Sequence, residues 1–170
     1  WSTHDPGLLA LALIVAVVAG ATILPILRHA LSAAPSVAWV WIGLSGLVGG
    51  TAIWCVHVLA TLALASGREI GVRSELAGLA LVVAILGVAL VPVMLRRRAT
   101  GWLRHAAGGV FSLTVAGAHH VGISGAHICH EVSQDLSSVV TTVVLASFPA
   151  GLFVRALTAP LRRHAPGAVI

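Results

Sequence analysis

Nine histidines stand against only five acidic residues in this chain of 170, and they sort into two groups. His29, His105 and His164 each follow an arginine and read as ordinary interfacial residues. His4, His57, His119, His120, His127 and His130 fall toward the opposite ends of long apolar runs. Imidazole is a ligand for copper, zinc and iron, so a set of histidines at one depth is a candidate metal or cofactor site. His57, His119 and His120 form its centre. Successive helical residues point about 100° apart, so His119 and His120 cannot both face one point. One is expected to face the bundle and the other a neighbouring helix. Cys55 sits about 200° around from His57 and reads as a small apolar residue rather than a co-ligand.

A second candidate is the segment His127-Ile128-Cys129-His130-Glu131. His127 and His130 are spaced i and i+3, and His127 and Glu131 i and i+4, which shares a face if a helix runs through them. The order is not the HExxH of zinc proteases. The plain structural alternatives are a polar solvated loop here and, for each buried histidine, a hydrogen bond to a carbonyl of an adjacent helix.

The elements that must position these residues are set by composition. Hydrophobic residues make up 58% of the chain and charged residues 9%, against about 25% charged in soluble domains. Too little polar surface is present to coat a globule, so the solvent is lipid. Five apolar runs, 8–27, 37–64, 76–95, 106–126 and 136–154, each approach the ~20 residues that cross a bilayer core. The expected fold is all-α, a single polytopic transmembrane helix bundle of five helices over residues 1–170. Asp5 and Asp135 precede the first and fifth runs and suit helix N-termini.

All ten basic residues are arginine, and the net charge is +5. A basic soluble protein would suggest nucleic acid, but these arginines sit at the ends of apolar runs, with no basic stripe interleaved with aromatics. Arg28, Arg96, Arg97, Arg98, Arg104, Arg155, Arg162 and Arg163 fall on one side. Arg68 and Arg73, on the other, are offset by Glu69 and Glu75. Arginine marks the cytoplasmic side, so the N-terminus is expected outside and the C-terminus inside, in a bacterial inner membrane. Trp39, Trp41 and Trp102 fit an inner interfacial belt. A weak repeat supports antiparallel hairpins: odd runs carry Pro25, Pro92 or Pro149 before an inner arginine, and even runs carry His57 or His119–His120 toward the outer end. The pattern reads as two hairpins and the first half of a third.

Residues 49–58, GGTAIWCVHV, resemble the first signature of the MHYT domain, a bacterial integral-membrane sensor module whose motif reads Gly-Ile-Trp-x-Met-His-Phe. Residues 116–122, AGAHHVG, resemble its later signature, Ala-Gly-Met-His-Tyr-Thr-Gly. His4-Asp5-Pro6-Gly7-Leu8 is similar to the Tyr-Asp-Pro-x-Leu that often opens its first helix. The resemblance implies about six helices with motifs near the outer face, and a copper site sensing oxygen, carbon monoxide or nitric oxide. By position, the metal histidines are His57 and His119. The motif Met is replaced by Val56 and Ala118, Tyr by His120 and Thr by Val121, and the only methionine is Met94.

Three functions are therefore in view. The first is a membrane module that binds a metal, with copper first, for redox or gas sensing. The second is a membrane anchor or electron-transfer subunit of a larger respiratory or redox complex, holding haem b or quinone. The third is a scaffold without cofactor. Other membrane subunits or a second copy are the expected protein partners. No nucleophile elbow, P-loop or paired membrane carboxylates appear, so the chain is not expected to be an enzyme by itself.

Overall fold

A computed structural model describes residues 5–64, 71–96 and 101–127. The fifth apolar run, 136–154, lies outside the described residues, as do His4, His130 and the side chain of His127. Four helices are described: α1 Pro6–Ser32, α2 Pro35–Leu64, α3 Ser74–Arg96 and α4 Gly101–Ser124. α1, α2 and α3 are long and apolar enough to cross a membrane. The paired histidines and several glycines of α4 make it less apolar, and it falls outside that group.

Helix ends follow capping chemistry more than hydropathy. The Asp5 carboxylate accepts from the backbone N–H of Gly7 at 2.8 Å and of Leu8 at 3.2 Å, and Pro6 occupies a first-turn position that needs no N–H partner. α1 then runs beyond the expected limit at residue 27 until Ala33 turns extended, with φ −66° and ψ 151°. The orphan carbonyls at that end find a donor in Arg96, whose guanidinium reaches Ala30 O and, at 3.2 Å, Ala33 O. α4 ends at Ser124, short of the expected residue 126. Ala126–His127 instead pair antiparallel with Gly71–Val72, in register Gly71 to His127 and Val72 to Ala126. This ladder gives the α2–α3 connection and the segment after α4 backbone partners, and Arg73 N–H adds a bond to Gly125 O at 2.8 Å. The backbone at His127 is therefore extended, and the helical spacing considered for His127, His130 and Glu131 does not begin there.

Neighbouring helices alternate in direction. Asp5 N–H bonds to Ala63 O at 3.0 Å, so the start of α1 meets the end of α2. The start of α3 meets the end of α4 through Arg73 and Gly125, and Arg96 ties the end of α3 to the end of α1. One end of the bundle thus carries Asp5, Ala63, Arg73 and Gly125, and the other carries Ala30, Arg96 and Gly101. α2 packs against α1 and α3, and α3 against α4.

Glycine makes the α2–α3 contact possible. A Cβ on Gly50 would lie 2.5 Å from the backbone N and Cα of Ile85, and one on Gly46 would lie 2.8 Å from Ile85 O. Such backbone proximity is what small residues allow between membrane helices. The tight apolar core of Ile23, Leu27, Val91, Leu95 and Ala107 lies toward the Arg96 end. Leu13, Val17, Leu86 and Leu113 are more than half exposed, which leaves an apolar girdle suited to lipid.

Candidate functional site

Away from that core, α2 and α4 bring two of the sequence-selected histidines into contact. His57 Nδ1 and His119 Nδ1 are 3.1 Å apart, with ring centroids at 5.1 Å and planes nearly perpendicular at 87°. Both rings are partly buried. A neutral imidazole has one N–H and one bare nitrogen. An Nδ1-to-Nδ1 hydrogen bond therefore forces opposite tautomers: one ring donates from Nδ1 and keeps Nε2 bare, while the other accepts at Nδ1 and carries its proton on Nε2. In this neutral, metal-free state the pair has one Nε2 donor and one Nε2 acceptor.

The local sequence seats His57 from two sides. Thr61 Oγ1 donates to His57 O at 2.9 Å within α2. Gly122 on α4 lies directly against the imidazole: a Cβ there would overlap His57 Nε2. Any side chain at position 122 would displace the ring. Nearby, Trp54 Nε1 donates to Ala77 O at 3.0 Å and fixes this part of α2 to the first turn of α3.

His120 diverges from its neighbour as one-residue helical spacing requires. Its ring lies 5.4 Å from that of His119, centroid to centroid, and its two buried ring nitrogens have no hydrogen-bond partner among the described residues. Cys55 is a free, half-buried thiol. His29 and His105 each donate from Nδ1 to a carbonyl four residues earlier, Pro25 O and Gly101 O, both at 2.8 Å. Those two are bound to their own helices, in keeping with an ordinary interfacial role.

Beside the pair runs a groove of about 480 Å³ between α1 and α4, floored by α2. Its wall follows helical periodicity: Ala16, Ala19, Gly20 and Ile23 on α1, and Phe111, Val115 and His119 on α4. Along α2 the lining continues through Gly49, Ala52, Ile53, Val56, His57 and Ala60. Among the described residues His57 and His119 are the polar side chains of the lining, and no charged residue joins them. The α1 face was missed in the sequence, although a stripe of small residues at i, i+3 and i+4 was there to see.

For a metal, the described residues provide a partial set of donors. With metal–nitrogen bonds of about 2.0–2.1 Å, two nitrogens 3.1 Å apart subtend roughly 100° at an ion, close to tetrahedral. Both Nδ1 lone pairs are then needed, so both rings must carry their protons on Nε2. Among the described residues no group of three or more His, Cys, Asp or Glu comes together. The Met positions of the resembled signatures supply only carbon, with Val56 on the groove wall and Ala118 buried. In comparisons with known proteins, no family model, curated protein or solved structure matches the chain.

Proposed function

We propose that this chain is a membrane-embedded sensing or redox module in which His57 and His119 hold a metal ion, copper first, with coordination positions left open. The observation that carries this reading is the 3.1 Å approach of the two Nδ1 atoms from different helices. That separation suits two neighbouring ligands of a tetrahedral ion. It is shorter than the about 4 Å that two axial imidazoles need on opposite sides of a haem iron, taking about 2 Å per metal–nitrogen bond. Imidazole pairs serve copper and zinc alike, and the resemblance to MHYT signatures at residues 49–58 and 116–122 favours copper. A metal with open positions would bind a diatomic ligand or change redox state.

The link to signalling is mechanical. His57 belongs to α2 and His119 to α4, so any change in ligation alters the contact between two helices. Among the described residues His120, whose ring nitrogens have no hydrogen-bond partner there, is the nearest further imidazole.

The test is metal analysis of protein extracted in mild detergent, with His57→Ala and His119→Ala in parallel. About one copper per chain in the parent, lost in both variants while they remain folded by circular dichroism, is the expected result. A folded parent that takes up neither copper nor zinc on titration would overturn the reading.

A further inference from the structure

We infer that the groove beside the histidine pair is a binding site for an uncharged, lipid-soluble ligand with a carbonyl-bearing head, of the quinone class. Three observations converge on that chemistry. The α2 floor from Gly49 to Ala60 is about 16 Å long at roughly 1.5 Å per residue, and its lining is aliphatic or aromatic except at His57 and His119. A ligand must therefore be apolar over most of its length and polar at one end. His57 Nε2 lies against Gly122, so His119 is the imidazole left to meet a ligand head at that end; its Nε2 donates to a quinone carbonyl in one tautomer of the pair and accepts from a quinol hydroxyl in the other. With no charge among the described wall residues, a phospholipid or fatty-acid head would enter unpaired.

Size separates this ligand from a gas. About 480 Å³ is many times the ~30 Å³ that a water occupies, and lies within the roughly 300–1,000 Å³ of sites for larger organic molecules. Access is lateral: Ala16 and Gly20 on the α1 rim are exposed. The groove itself does not depend on a metal at the pair, because its walls are carbon atoms of four helices, Val88 of α3 among them; with a metal bound, His119 Nε2 is a donor and suits the carbonyl form of the ligand.

Decylubiquinone titrated into the full chain in nanodiscs tests the proposal. Saturable binding of about one molecule per chain is expected. Gly20→Leu should weaken it by about tenfold or more by filling the groove, since no atom of the described residues lies within 4 Å of a Cβ at Gly20. His119→Ala should weaken it about fivefold, as expected for one lost hydrogen bond. Gly43→Leu, on an exposed part of α2 with the same free space, should leave it unchanged. Copper content should follow His57 and His119 but not Gly20, so failure of this proposal and failure of the metal reading give different results. Equal affinity in Gly20→Leu, equal displacement by dioleoylglycerol, or no saturable binding would each overturn it. In the last case, loss of stability in Gly20→Leu would assign the groove to the chain's own residues 136–154.

Discussion

At the scale of single residues, the His57–His119 bond is a side-chain hydrogen bond between two helices in a setting where water is scarce. Such bonds contribute modestly in membranes, because the unfolded chain in lipid also finds partners. A double-mutant cycle of His57→Ala and His119→Ala in metal-free protein should return a coupling of roughly 0.6–1.7 kcal/mol in detergent-titrated unfolding. A coupling indistinguishable from zero would show that the two rings do not meet in the folded protein. Gly122 illustrates the same economy. The residue that seats His57 is chosen for having no side chain, and Gly122→Ala should shift the ring and weaken metal uptake while leaving helix content intact by circular dichroism.

At the scale of helices, glycines of similar appearance have different roles. Gly50 meets the Ile85 backbone, whereas Gly43 faces open space. Gly50→Ala must push α2 and α3 apart and should cost about 1–3 kcal/mol of overpacking. Gly43→Ala adds only helix preference, worth roughly 0.5–1 kcal/mol in the stabilising direction. Equilibrium unfolding of both variants compares them directly, and equal effects would contradict the packing described for α2 and α3. Arg96 belongs at this scale as well. Expected from the sequence as an orienting charge, it also binds the terminal carbonyls of α1 and so links two helix ends.

For the whole molecule, the described helices alternate in direction, with a tight core toward the Arg96 end and a groove beside the His57–His119 pair. Arginine distribution predicts that the Arg96 end faces the cytoplasm. In a Cys55→Ser, Cys129→Ser background, Ser74→Cys should react with an impermeant thiol reagent added to intact cells. Gly101→Cys, at the opposite end and in open space, should react only after the membrane is breached. The reverse pattern would invert the orientation.

The sequence by itself determined that this chain is helical and suited to lipid, because 58% hydrophobic residues in runs near twenty leave no other arrangement that satisfies backbone polar groups in a membrane. It also singled out His57 and His119, since ionisable residues inside apolar helices stand out against their surroundings. Helix limits were less legible: α1 outlasts its apolar run and α4 ends at Ser124, where backbone pairing rather than hydropathy decides. The tertiary structure alone decided that His57 meets His119 while His120 turns aside, and that Gly122 holds the ring. It also revealed the groove between α1 and α4. Side-chain meetings across 62 positions depend on helix rotation and spacing, and these are set by contacts such as Gly50 on Ile85 that no local pattern encodes.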